Sequence, residues 1–146
     1  LDRSAMPAER PLLVIFESRS CARCARFHRE VLQDSDVRPI LQGMDVVRLD
    51  AADTQTPVLT PAGERTTPAA WAEQLGFTQY PALVFFDEGG EQVLETDALV
   101  LKSRMLNSLG FVAERAYERG WTYQRFARSR AMAKAAASQT GEPAAE

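Results

Sequence analysis

A chain of 146 residues, 45% hydrophobic and 25% charged, has the make-up of one average globular domain with its own core. Its net charge of -3 argues against a strongly basic nucleic-acid binder, and no apolar run reaches the length of a membrane span. Two cysteines and one histidine exclude a disulfide-dense scaffold and a His-rich metal site, which leaves the cysteine pair itself to be explained.

The chain opens on Leu1 rather than Met, so an upstream signal segment is expected to have been removed. Residues 1–10 show no periodicity and read as a lead-in. Pro11-Leu-Leu-Val-Ile-Phe16 is a short apolar run with β-branched residues, which predicts a strand buried on both faces. Glu17-Ser-Arg-Ser20 breaks it. From Cys21 to Gln33 the apolar residues Cys24, Phe27, Val31 and Leu32 fall at helical spacing, and Asp34, Ser35 and Asp36 end that helix. Asp45 to Asp50 predicts a second strand. Strand, helix, strand in this order is a right-handed βαβ unit.

Residues 51–66 read as a loop holding Pro57, Pro61 and Gly63. Thr67-Pro68 then supplies a helix cap followed by proline at the first helical position, and Gly76 suits the helix stop. Ala82 to Phe86 is another apolar strand. Asp87-Glu-Gly-Gly90 predicts a hairpin turn, and Glu91 to Thr96 the return strand at a sheet edge. Leu101, Met105, Leu109, Val112 and Ala116 mark one face of a single long helix over 100–119. Gly120 punctuates it. Trp121 to Ala136 predicts a further helix, and the remainder reads as a tail. The expected division is a domain over 11–119, a helical extension over 120–137 and a disordered tail over 138–146.

Charge divides along the chain. Residues 1–97 hold nine arginines against sixteen carboxylates, and residues 98–146 hold eight basic side chains against four glutamates. In the basic end, Trp121, Tyr123 and Phe126 are interleaved with Arg119, Arg125, Arg128, Arg130 and Lys134. Such a pattern serves base stacking in some proteins. The reading preferred here is an aromatic stripe packed on the domain with solvated charges, and partner docking stands as an alternative.

Cys21-Ala-Arg-Cys24 follows the first strand and opens the first helix. Within a βαβ pattern this spacing reads as a dithiol redox motif. A helix N-terminus presents unpaired N–H groups and a partial positive charge, which lower the pKa of a Cys21 thiol. Arg19, Arg23 and Arg26 push the same way. Cys21, at the exposed helix start, is the candidate nucleophile. Cys24, one turn in and facing the sheet, is the candidate resolving thiol. This chemistry needs no cofactor.

Alternatives stand beside it. The pair could be structural, in a redox-inert domain that binds a partner. Cys21, Cys24 and His28 form a C-x2-C-x3-H set that a carboxylate such as Glu17 would complete as a zinc or copper site. His28 could tune a thiol or relay a proton, or be a packed, hydrogen-bonded core residue. Glu17 could act as a base towards Cys24, or be a cap or a solvated charge. Tyr80-Pro81 precedes the strand 82–86, and X–Pro is the bond at which a cis peptide is cheap.

These residues resemble the thioredoxin superfamily, through Leu12–Phe16, Cys21-Ala-Arg-Cys24, Tyr80-Pro81 before an apolar strand, and the Asp87–Gly90 hairpin. Within it the chain looks most like the SoxW-type periplasmic thioredoxins. Phe16-Glu17, His28, the segment from Ala62-Gly63-Glu64 to Leu75-Gly76, and Tyr117 with Tyr123-Gln124-Arg125-Phe126 carry that likeness. The resemblance implies an α/β thioredoxin-like fold: a central mixed sheet flanked by helices, here with an added C-terminal helix. It implies Cys21 as nucleophile, and a cis Tyr80–Pro81 bond in a substrate-binding loop beside the disulfide. It also implies exchange with protein thiols and disulfides, and with a redox-partner reductase or oxidase, in the periplasm or another extracytoplasmic compartment. A monomer is expected. The departures are Ile15 where thioredoxin has a buried aspartate, Ser20 for tryptophan, Ala22-Arg23 for Gly-Pro, and Ala82 for threonine. With Ile15 in that place, proton transfer falls to Glu17, His28 or water.

Overall fold

A computed structural model describes residues 8–98 and 101–139. Its elements are β1 (Leu12–Glu17), α1 (Ala22–Arg26), α2 (Val37–Leu41), β2 (Asp45–Asp50), β3 (Val58–Leu59), β4 (Arg65–Thr66), α3 (Pro68–Gln74), β5 (Ala82–Phe86), β6 (Gln92–Thr96), α4 (Lys102–Ala113) and α5 (Tyr123–Gln139). A π-helical segment, Phe27–Leu32, continues α1, and a 3₁₀ turn, Ala116–Arg119, lies between α4 and α5.

The apolar run of β1 occupies the middle of a four-stranded sheet in the order β2-β1-β5-β6. β2 lies parallel to β1, β5 antiparallel to it, and β6 closes the far edge. Side chains alternate across a strand, so β1 feeds two cores. Leu12, Val14 and Phe16 join Trp71, Ala72, Phe77, Val84 and Phe86, beneath α3. Leu13 and Ile15 join Phe27, Val31, Val37, Met105 and Leu109, beneath α1, α2 and α4. The expected mixed sheet flanked by helices is thus the observed architecture, with α5 added at the C-terminal end.

Local chemistry sets the ends of α3. The Thr67 hydroxyl accepts from the backbone N–H of Ala70 (3.3 Å), and Pro68 occupies the first turn. At the other end Gly76 adopts φ 79°. Its N–H donates to Glu73 O, and the N–H of Phe77 donates to Ala72 O. This double bond pattern needs a left-handed residue, which glycine adopts without a Cβ clash. It turns the chain back towards Tyr80–Pro81.

Four expectations change. The predicted helix over 21–33 begins as α1 but widens into the π segment, which keeps Phe27 and Val31 buried and Leu32 half-buried. The loop over 51–66 contains a small antiparallel ribbon, with Val58 opposite Thr66 and Leu59 opposite Arg65. The long helix over 100–119 stops at Ala113. Arg115 turns left-handed at φ 56°, where its guanidinium meets Glu88 (2.9 Å) and Glu118 (2.7 Å). The turn that follows puts Ala116 fully into the core. Finally, α5 runs through residues 138 and 139, since the alanine-rich sequence after Arg130 favours helix propagation. The rest of the expected tail, 140–146, and most of the lead-in, 1–7, lie outside the described residues.

The aromatic stripe of α5 packs on the domain. Phe126 is buried against Phe111 at 5.9 Å between ring centroids, and Tyr123 meets the same ring at 6.2 Å. The interleaved arginines cover aromatic faces: Arg125 lies 4.2 Å over Trp121 and Arg130 4.9 Å over Phe126. No helix among the described residues is long and apolar enough to cross a membrane.

Candidate active site

The site forms where β1 ends and the first helix begins. Cys21 is the N-cap of α1, with extended backbone at φ -100° and ψ 101°. Its sulfur accepts a hydrogen bond from the backbone N–H of Cys24 at 3.0 Å. Cysteine here does what a serine or aspartate cap does elsewhere, answering one of the unpaired donors of the first turn. Cys21 and Cys24 are joined in a disulfide, with Cα atoms 5.2 Å apart. Cys24 is buried, whereas Cys21 is half-exposed, the asymmetry expected of a resolving and an attacking sulfur.

The second wall comes from the loop before β5. The Tyr80–Pro81 peptide bond is cis, and Pro81 is buried. The carbonyl oxygen of Tyr80 lies 3.7 Å from Cys21 Sγ, within reach of a thiol S–H donor when the pair is reduced. The Tyr80 side chain leans on the core around Phe16 and Trp71, and its hydroxyl donates to Phe77 O at 3.3 Å. Burial pushes the Tyr80 phenol above the ordinary tyrosine range. Arg23 reaches across from α1 and donates to Gln79 Oε1 at 3.5 Å.

Glu17 and His28 meet. Glu17 ends β1 on the face covered by the first helix, and its Oε1 is hydrogen-bonded to His28 Nε2. Arg48 of β2 contacts the same carboxylate, with Nε and Nη2 each 3.4 Å from one of its oxygens. The Glu17 side chain is only 18% exposed and that of His28 27%, against 59% for Arg48. Neither Glu17 nor His28 hydrogen-bonds to a cysteine. An open hollow of about 410 Å³, lined by Glu17, Ser18, Arg19, Arg48, Leu49 and Asp50, lies at the carboxyl ends of β1 and β2. Ligands of parallel sheets favour such ends.

All seven sequence-predicted residues lie in or beside this region, in two groups. Cys21, Cys24, Arg23, Tyr80 and Pro81 surround the disulfide. Glu17 and His28 form their own cluster, to which Arg48 is added. Sequence reasoning missed Arg48 and Gln79. Arg48 looks like the solvent-facing step of an alternating strand, and only the parallel register, Ile15 opposite Arg48 and Glu17 opposite Asp50, brings it to Glu17. Gln79 carried no signal beyond its place before Tyr80. Among the described residues no three His, Cys, Asp or Glu side chains gather as metal ligands. Cys21 and Cys24 are bonded to each other, and His28 to Glu17.

The family model of the thioredoxin-like domain matches residues 3–113, most of the chain. This protein belongs to the thioredoxin-like family. Solved structures agree on the fold. A thioredoxin-fold protein from Helicobacter pylori superposes on this thioredoxin-like protein with a TM-score of 0.69 at 14% identity, covering 86% of this chain and 82% of that one. A thioredoxin from Thermus thermophilus gives 0.58 at 22% identity over 77% and 80%. The reduced C-terminal domain of DsbD from Neisseria meningitidis gives 0.51 at 12% identity over 73% and 82%. No curated protein matches the sequence. The thioredoxin-like fold, with its CxxC pair bonded at the head of the first helix, is that of a thiol–disulfide oxidoreductase.

Proposed function

We propose that this thioredoxin-like protein exchanges its Cys21–Cys24 dithiol with disulfides of partner proteins outside the cytoplasm, in the manner of the SoxW-type thioredoxins. The observation that carries the reading is the position of Cys21 Sγ. It is half-exposed, sits at the head of a helix with the Cys24 N–H aimed at it, and faces the Tyr80 carbonyl.

The chemistry runs in two displacements. The Cys21 thiolate attacks one sulfur of the substrate disulfide. A mixed disulfide forms, and the other substrate sulfur leaves as a thiolate that takes up a proton. Cys24, after losing its own proton, attacks Cys21 Sγ. The Cys21–Cys24 bond forms and the second substrate thiol is released. Two electrons pass from the dithiol to the substrate, and the reverse sequence oxidises a substrate dithiol. A redox-partner reductase or oxidase returns the pair to its starting state.

Arg23 and the helix N-terminus favour the Cys21 thiolate. Glu17, hydrogen-bonded to His28, accepts the Cys24 proton through water, since neither side chain touches a cysteine directly. The loop of cis-Pro81, whose Tyr80 carbonyl faces Cys21, receives the substrate chain, and Tyr80 shapes that loop. The likeness to the SoxW group rests on Phe16-Glu17, His28 and the Tyr117 to Phe126 ending.

The test is reduction of insulin disulfides with dithiothreitol as the electron source. Cys21→Ser abolishes turnover. Cys24→Ser stops after the first displacement and accumulates a mixed disulfide at Cys21, visible on a non-reducing gel. Full turnover by Cys21→Ser, or trapping on Cys24 in its place, overturns the proposal.

A further inference from the structure

The charges around the disulfide are distributed unlike those of the chain as a whole. The protein is acidic, at net -3, yet the segment carrying the cysteines presents Arg19, Arg23, Arg26 and Arg29 within eleven positions. Two of the three nearest the disulfide are matched by carboxylates: Arg19 lies 3.5 Å from Asp50, and Arg26 lies 2.8 Å from Glu30. Glu17 is taken up by His28 and Arg48. Arg23 differs. Among the described residues its partner is the neutral amide of Gln79, on the opposite lip of the cleft. That lip, Thr78 to Ala82, contains no carboxylate and no basic side chain.

The Arg23–Gln79 bond spans the two segments that flank Cys21. Arg23 is two residues past the attacking sulfur, and Gln79 is one residue before the Tyr80 carbonyl that faces it. The amide holds the guanidinium over the cleft without neutralising it. A substrate sulfur reaching Cys21 therefore brings its neighbouring residues under an exposed, uncompensated fork of N–H donors. Guanidinium groups pair with carboxylates through such forks.

We infer that Arg23 is a specificity-determining residue, and that the protein's substrates carry a carboxylate next to the reacting cysteine. The inference rests on Cys21 being the attacking sulfur. On encounter the substrate carboxylate displaces Gln79 from the guanidinium, so recognition replaces a weak neutral bond by a charged one. The chain as a whole is acidic, so the uncompensated charge of Arg23 also orients the approach of such a substrate.

The experiment is single-turnover oxidation of the fully reduced protein by three cystine peptides identical except beside the half-cystines, where they carry Asp, Asn or Lys. No external reductant takes part. The expected result is that the Asp peptide reacts about fivefold faster than the Asn peptide, the factor of one solvent-exposed ion pair, and that the Lys peptide is slower still. The ratio shrinks at 0.5 M salt, a condition under which exposed charges are screened. Arg23→Gln brings the Asp-to-Lys ratio close to one, Arg23→Lys preserves most of it, and Arg23→Glu inverts it. A general effect of Arg23 on thiol reactivity would slow all three peptides alike and leave the ratio untouched. Equal rates for the three peptides, or a ratio unchanged in Arg23→Gln, overturn the inference while leaving dithiol exchange intact. Failure of all three peptides to react overturns both.

Discussion

The contact between α4 and α5 allows a sign-reversing prediction. Gly110 sits in the interior of α4, where glycine is a poor helix former, by about 1 kcal/mol relative to alanine. On propensity alone Gly110→Ala should stabilise the fold. A Cβ at this position would, however, lie 3.1 Å from Phe126 Cζ, and 3.3 Å from both Arg130 Nη2 and Glu114 Oε2. The two charged tips are flexible ends that can move aside. The Phe126 ring cannot, because it is buried and held against Phe111. Overpacking of this kind costs about 1–3 kcal/mol, so Gly110→Ala is expected to destabilise the protein by about 1 kcal/mol net.

Phe126→Ala removes the obstacle. By itself it loses the ring's burial and leaves a cavity, for about 3 kcal/mol and a melting temperature lower by on the order of 10 °C. In that background Gly110→Ala has room, keeps its propensity gain and raises stability by about 0.5–1 kcal/mol. The assay is urea denaturation of the four proteins, all held oxidised so that the redox state is common to them. A gain from Gly110→Ala of the same size in both backgrounds would refute the reasoning, since it would mean that Phe126 does not press on α4. A loss of the same size in both would do so equally, by placing the clash elsewhere.

Two further outcomes follow from the loop that carries Tyr80. Gly76→Ala puts a Cβ on a residue at φ 79° with open space around it, so the loss of about 1 kcal/mol in chemical denaturation comes from backbone strain alone. No loss at all would show that the turn relaxes to another form. The Tyr80 phenol has a pKa raised by burial, so the folded state holds that proton more tightly than the unfolded chain. Its contribution is complete below the ordinary tyrosine pKa of about 10 and is lost as pH rises past that value through the folded one. Stability measured between pH 9 and 12 should therefore fall less steeply in Tyr80→Phe, and identical slopes would exclude the effect.

The sequence was most legible where burial was two-sided. Leu12 to Phe16 and Ala82 to Phe86 are apolar at every step because both faces of the sheet are covered, and they are found as continuous runs. The Cys21–Cys24 spacing announced itself through the strand before it and the helix after it. Features made by long-range contact were not legible. Two-residue strands such as Val58–Leu59 and Arg65–Thr66 are too short to show a period. The break after Ala113 falls among good helix formers, and what favours it, burial of Ala116 and the meeting of Arg115 with Glu88, is tertiary. The π segment keeps its apolar positions at spacings that a regular helix would also allow. Arg48 reaches Glu17 only because strands 31 residues apart in their contacting positions pair in parallel.

Helix caps are ordinarily spectators, chosen to quiet a donor and then left alone. Here the atom that quiets the Cys24 N–H is also the atom that stores the electrons. With the pair oxidised, that sulfur bonds Cys24 Sγ and still accepts the Cys24 N–H, so the helix below it has its capping partner. The bond that carries the redox state is thus a side-chain bond, placed on the atom that closes the backbone turn.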